Sequence, residues 1–216
     1  MPEGRSLDHL VVAVRDLDGA AAFYERLGFQ VGPKNRHPWG TENRIIQFPG
    51  SFIELIAVGE GADIPPHGAR AFSFGAFVRD SLARREGLAM LALASADANA
   101  DAAAFAKAGL GDFAPFFFER KGKRPDGSET RVAFTLAFAR DPNAPDVGFF
   151  VCHHHEPQNF VNAALQQHSN GAQGISAVVL AADDPHAHRA CLEPFAGIPG
   201  PARPAMICRS LSTGDA

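Results

Sequence analysis

Short apolar runs bounded by Asp, Gly and Pro alternate with stretches of helical period along this chain. Residues 7–14 form a Val-rich run without a helical stripe, which predicts a buried strand. Leu17, Ala21, Tyr24 and Leu27 then recur at helical spacing. Asp16 stands where an N-cap accepts backbone N–H groups, Asp18 suits the positive end of the helix, and Gly28 marks its stop. Residues 29–31 begin a second strand. A loop over 32–41 carries two Pro and two Gly, and strands 43–48 and 51–58 meet at Pro49-Gly50. The order is β-α-β-β-β.

The same order returns. Residues 88–94 read as a strand, 97–108 as an Ala-rich helix containing Phe105 and ended by Gly109, and 112–119, 129–139 and 147–152 as strands. Arg124-Pro125-Asp126-Gly127 makes a hairpin turn. Leu7 and Asp16 correspond to Leu88 and Asp97 at a constant offset of 81 residues, a weak internal repeat. The expected organisation is α+β: a first module over 5–60, a linker over 61–87, and a second module over 88–157. Within the linker, 72–78 is expected as an extra strand and 79–86 as a helical turn or two. A partial third β-α unit is expected over 172–216. Its strand is 175–182, its helix starts at Asp183-Asp184-Pro185, and Pro199, Pro201 and Pro204 interrupt it before a last short strand at 205–209.

Composition narrows the function classes. With 46% hydrophobic residues in 216, a sizeable core is available, and 18 Phe against one Trp and one Tyr predict aromatic walls. A net charge of −4 and a pI near 6.1 argue against a nucleic-acid or anionic-membrane partner. No apolar run approaches the roughly 18 residues that span a bilayer. The N-terminus lacks a charged-then-apolar leader pattern, so the expected location is cytoplasmic. Cys152, Cys191 and Cys208 are odd in number and widely spaced, which predicts reduced structural thiols.

Two polar residues interrupt the apolar strands. His9 shares a predicted face with Leu7, Val11 and Ala13, and Glu54 shares one with Phe52, Ile56 and Val58. Burying either side chain is costly without a partner. In one curved sheet both point into the same concavity, as half of a divalent metal site or as a hydrogen-bonded pair that satisfies the core. Elsewhere, Lys121, Lys123 and Arg124 read as a solvated hairpin, and Glu119 with Arg131 as a cross-strand pair. No phosphate-binding loop, dinucleotide fingerprint or nucleophile elbow is present.

The doubled β-α-β-β-β unit resembles the vicinal oxygen chelate superfamily. It opens Asp8-His9-Leu10-Val11-Val12-Ala13-Val14-Arg15-Asp16-Leu17 and closes Phe52-Ile53-Glu54-Leu55-Ile56. The segment 36–43, Arg-His-Pro-Trp-Gly-Thr-Glu-Asn, is similar to that superfamily's glyoxalase-like branch. The resemblance covers roughly residues 5–155. It implies two units facing each other as a half-open barrel, with His9 and Glu54 as ligands of a divalent metal (Zn, Ni, Mn or Fe). It also implies a substrate that chelates the metal through neighbouring oxygens and a carboxylate that moves the proton; Glu54 and, from the loop ahead of the third strand, His37 are the expected catalytic groups.

The second unit departs from that pattern. The repeat sets Met90 opposite His9, and strand 147–151 supplies no carboxylate to match Glu54. The missing ligand is expected from His153, with His37 or His155 as substitutes, or the cleft holds no metal. Asn43, Arg44 and Trp39 are the expected substrate contacts, although Arg44 also suits a balancing role beside Glu54 or Glu42. The expected function is a small-molecule lyase, isomerase or epimerase. The alternatives are an extradiol-type Fe(II) dioxygenase and a metal-free small-molecule binding protein. Units of this type pair within one chain or between two, so a homodimer stays open.

Overall fold

The structure, a computed structural model, describes residues 4–123 and 129–198. The first unit comprises β1 (Leu7–Ala13), α1 (Leu17–Arg26), β2 (Asn35–Arg36), β3 (Thr41–Phe48) and β4 (Ser51–Val58). A helix, α2 (Phe74–Arg84), follows. The second unit comprises β5 (Gly87–Ala94), α3 (Ala98–Lys107), β6 (Phe116–Lys123), β7 (Glu129–Ala139) and β8 (Gly148–His154). A one-turn helix α4 (Pro157–Phe160) and a longer α5 (Arg189–Ala196) complete the described chain.

The strands form one curled eight-stranded sheet in the order β2-β3-β4-β1-β5-β8-β7-β6. β1 runs parallel to β4, β5 runs parallel to β8, and β1 and β5 pair antiparallel at the centre. Both units therefore join edge to edge within one chain. The capping chemistry is as the sequence requires. The Asp16 carboxylate accepts from the Gly19 N–H at 2.9 Å, the Asp97 carboxylate accepts from Asn99 and Ala100, and Gly28 takes φ +86° after α1.

Three apolar clusters fix the layers. On the convex side, α1 packs Leu17 and Ala21 against Ile46, Phe48 and Leu55, while α3 and α5 pack Phe105 and Phe195 against Leu91, Phe149 and Val151. The concave side is filled at one end by α2, whose Phe74, Val78 and Leu82 lie against Val11, Ala13 and Met90. A second plug is Phe160 of α4. Its carbonyl accepts from the Gln47 side chain at 2.9 Å, and Gln47 accepts in turn from the Asn162 N–H.

Several expectations change. Residues 72–78 form no strand, because Ser73 caps α2 through the Ala76 N–H. Residues 29–31 lie outside any strand, and β2 is only the pair Asn35–Arg36. The stretch 175–182 is not a strand either. It runs over the convex surface with Ile175 against the first unit and Val178 against the second, so among the described residues the third unit comprises a short 3-10 turn at Pro185–His188 and α5. Residues 124–128 and 205–209, expected as a turn and a strand, lie outside the described residues.

Candidate metal and substrate cleft

The concave face leaves a cleft of about 430 Å³ between the two units. His9 enters it from β1, Asn43 from β3, Glu54 from β4, and His37 and Trp39 from the loop ahead of β3. The second unit supplies Phe118, Arg120, Phe134, Phe150 and Cys152. Alternation explains each placement: inward-facing positions along a strand lie two apart.

A bulge in β1 breaks that alternation. Leu7 pairs with Leu93 and His9 with Ala92, so one extra residue stands between successive pairs. Leu7 consequently joins the convex cluster of Leu91 and Leu93 instead of sharing a face with His9. Asp8 then reaches His9 directly. Its one carboxylate oxygen contacts Nδ1 of His9 and the other lies 3.0 Å from Nε2 of His154. Burial alone would raise the Asp8 carboxyl, but the His154 and His9 imidazoles beside it hold it well below the usual carboxylate range.

With Nδ1 engaged by Asp8, His9 turns Nε2 toward Glu54, 3.8 Å from Oε2. His37 approaches the other oxygen, Oε1, with its Nε2 at 3.7 Å. Its Nδ1 bonds Thr41 Oγ1 at 2.8 Å, and its ring stacks on Trp39 with centroids 4.4 Å apart and 6° between planes. Burial pushes the His37 imidazole down to about 4 despite the pull of the Glu54 charge. The Asn43 amide donates to Glu54 and reaches His37 Nε2 at 3.4 Å. Two imidazole nitrogens thus face one carboxylate, with a single amide between His37 and Glu54.

By residue type this donor set suits a divalent cation, although its three ligand atoms do not all lie within 4.8 Å of one another. Neutral imidazoles and a carboxylate are borderline-metal ligands, and each imidazole is fixed through its other nitrogen by Asp8 or Thr41. The two nitrogens face different oxygens of the carboxylate. The second unit adds no ligand. In the sheet His9 pairs with Phe52 and Val11 with Glu54, while across the pseudo-symmetry axis Met90 pairs with Gly148 and Ala92 with Phe150. Met90 and Phe150 therefore occupy the places of His9 and Glu54, and both are buried. Among the described residues, the donor atoms that fall within 4.8 Å of one another are those of Asp8, Cys152 and His154.

Other expected site residues divide by strand face. Trp39 and Asn43 line the cleft. Arg44 points to the convex side, where its guanidinium meets Asp18 of α1 at 2.9 Å, so it balances Asp18 rather than a substrate or Glu54. His153 and His155 do not join His9 and Glu54. In β8, Phe150, Cys152 and His154 face inward, whereas His153 faces outward. The rings of His153 and His155 contact one another at 4.4 Å, and His155 Nε2 bonds Thr135. Glu119 and Arg131 form the expected cross-strand pair at 2.8 Å.

Two residues of the site, Asp8 and Arg120, stand outside the sequence expectations. Asp8 needed the bulge, which apolar patterning does not signal. His154 belongs to the candidate run His153 to His155, and alternation sends it the opposite way from His153 and His155, here inward. Arg120 lies one position ahead of the basic hairpin run, and alternation with Phe116 and Phe118 marks it as inward-facing.

Comparisons agree with this geometry at the level of fold and family. Comparison with curated proteins finds no match. Among solved structures, a hypothetical protein from Staphylococcus aureus superposes with a TM-score of 0.55 at 18% identity, covering 70% of this chain and 59% of that one. A methylmalonyl-CoA epimerase variant from Streptomyces coelicolor, in complex with 2-nitronate-propionyl-CoA, gives 0.47 at 20% identity over 71% of this chain and 99% of its own. The methylmalonyl-CoA epimerase from Mycobacterium tuberculosis gives 0.47 at 19%, over 71% and 91%. The family model for the glyoxalase-like domain matches residues 7–195, nearly the whole described chain. With its paired β-α-β-β-β units and the His9–Glu54 face of its cleft, the chain belongs to the glyoxalase-like domain family of the vicinal oxygen chelate fold.

Proposed function

We propose that this protein is a metal-dependent small-molecule enzyme of the lyase, isomerase or epimerase type, moving a proton at a carbon beside two neighbouring oxygens. The observation that carries the reading is Glu54, held by the Asn43 amide between His9 and His37 at the foot of an apolar cleft. His9, His37 and Glu54 would hold the ion, a divalent metal such as Zn, Ni, Mn or Fe. Bound there, it supplies Lewis-acid stabilisation of an enediolate-type oxyanion.

The chain's own groups divide the remaining work. One oxygen of Glu54 is tied by Asn43, which leaves the other facing His9 and available to accept a carbon-bound proton. Asp8 fixes the ring of His9, and Thr41 fixes that of His37. The aromatic walls exclude water and keep the local dielectric low, which strengthens each of these interactions.

Purification without chelators, followed by elemental analysis and incubation in D2O with a panel of hydroxyketones, hemithioacetals and 2-substituted thioesters, tests the reading. Stoichiometric divalent metal is expected, lost in both His9→Ala and Glu54→Ala, together with Glu54-dependent deuterium incorporation. Substoichiometric metal and no thermal response to added Zn, Ni, Mn or Fe would favour a metal-free binding module instead. The two-imidazole, one-carboxylate combination also suits Fe(II) and an extradiol-type oxygenase. Oxygen uptake with catechols after anaerobic iron loading separates that reading.

A further inference from the structure

Arg120 is the unexplained charge of the cleft. It stands on the inward face of β6, beyond Phe116 and Phe118, and lines the cavity opposite Glu54. Its side chain is largely withdrawn from water, and no carboxylate among the described residues pairs with it. Its Nε–H is fully buried without an acceptor. Trp39 Nε1–H, another buried donor of the cleft wall, lacks one too. An unpaired cation held away from water is expensive and is normally compensated by an anion. The neighbouring arginines show the contrast: Arg131 is paired with Glu119 and Glu156, and Arg44 with Asp18.

Glu54 does not discharge this role. Its charge acts on Arg120, yet its oxygens are taken up by Asn43 and faced by the two histidines. The cleft is therefore polarised, with a carboxylate and two imidazoles on the first unit and a lone guanidinium on the second. Between them lie flat apolar walls: Phe118 stacks over Phe134 with centroids 5.0 Å apart, and Trp39 meets Phe118 edge to face at 4.9 Å. A planar fork whose buried Nε–H lacks an acceptor matches a carboxylate.

We infer that Arg120 is the anion receptor of this cleft, and that the ligand is a small carboxylic acid with a flat apolar body and an oxygen neighbouring its carboxylate, of the aryl 2-oxo or 2-hydroxy acid class. The carboxylate docks on Arg120, the apolar body lies between the aromatic walls, and the oxygen-bearing carbon faces Glu54. This names the substrate class of the reaction proposed above and rests on that reading for the reacting end. Recognition of the acid needs neither metal nor turnover.

The test is binding, read by the quenching of Trp39 fluorescence and by calorimetry, on the full chain after chelator treatment. The probes are mandelate and phenylglyoxylate, their uncharged methyl esters, and phenyl phosphate. The acids are expected to bind at least about tenfold more tightly than their esters, as a charge-assisted hydrogen bond requires. Arg120→Leu should abolish that preference while the free protein unfolds at an equal or higher temperature, because an uncompensated cation has been removed. Arg120→Lys, which keeps the charge without the fork, should retain part of it. Equal binding of acid and ester, an Arg120→Leu protein that still prefers the acid, or tighter binding of phenyl phosphate than of either acid would each overturn the inference. Acid binding without turnover would retain the anion receptor and remove the proposed reaction. Turnover of other substrates with no acid preference would do the reverse.

Discussion

Asp8 lies 3.0 Å from Nε2 of His154 while its other oxygen holds Nδ1 of His9, so one carboxylate from the β1 bulge joins the central strand of the first unit to the last strand of the second. The pair sits where the cleft meets a second cavity of about 800 Å³, lined also by Gln47, Ser95 and Phe160. It sets the orientation of His9 from behind, out of reach of the cleft.

Replacing Asp8 by Asn should therefore act at a distance from the reacting carbon. Affinity for a divalent ion is expected to fall about 10- to 100-fold, the usual effect of losing a carboxylate behind a ligating histidine. Stability should fall by roughly 1.5–3 kcal/mol, because hydrogen bonds to a charged group are lost. Chelator competition and thermal unfolding check the two parts, and unchanged metal affinity would show that His9 needs no such support.

The stability of the metal-free protein should depend on His37. Its folded-state value is near 4 and its unfolded value near 6.5, so the unfolded chain binds more protons between them. Stability is full above pH 6.5, declines as pH falls toward 4, and changes no further from this group below that. The upper bound on the loss is about 3 kcal/mol for such a difference. Asp8, whose carboxyl is lowered, adds a further loss only below its unfolded value of 3.8. Denaturant titrations at stepped pH should show the first loss in wild type and not in His37→Asn. Fluorescence of Trp39, the single tryptophan, should report the same step because its ring stacks on His37.

Phe150 occupies the place of Glu54 in the second unit, with its ring edge-on to His9 at 5.2 Å. Phe150→Glu should cost about 3–5 kcal/mol without metal, as an unpaired charge replaces a buried ring. Added Zn or Mn should recover part of that loss. If calorimetry finds no metal-dependent recovery, His9 and Glu54 do not face a usable cation position.

Cys152 and Cys191 should resist alkylation in the folded protein at pH 8. Burial, reinforced by Asp8 and Glu54, pushes the Cys152 thiol well up, and burial pushes Cys191 up to about 12. Peptide mapping after iodoacetamide treatment should find both labelled only after unfolding.

Much of this arrangement was legible in the residues. His9 and Glu54 interrupt apolar runs of period 2, and that period alone sends both into one concavity. Asp16 and Gly28 mark the ends of α1 by their own chemistry. What stayed hidden depended on partners distant in sequence. Leu7 changes face because β1 must bulge against β5, and no local signal in 7–14 announces a pairing with 87–94. Phe74 and Val78 read as a strand by composition until the concave face they fill together with Leu82 is known. The stretch 175–182 has strand-like composition but finds no free sheet edge, so its apolar residues serve as isolated contacts. Arg120 precedes the basic run Lys121 to Arg124, and nothing in its sequence neighbours separates it from that run, because its environment is set across the cleft.

The replacement of Glu54 by Phe150 across the axis has a stereochemical consequence for the proposed reaction. The imidazoles and the carboxylate of the cleft, His9, His37 and Glu54, all belong to the first unit. The second offers a guanidinium, phenyl rings and a thiol that stays protonated. A proton taken from a bound carbon therefore leaves on one face and returns on that same face. Of the three reaction types proposed, such a cleft favours a lyase or a 1,2-isomerase over an epimerase, which must invert a single centre. Retention at the abstracted carbon, read by chiral analysis of deuterated product, is the outcome a one-sided pocket dictates.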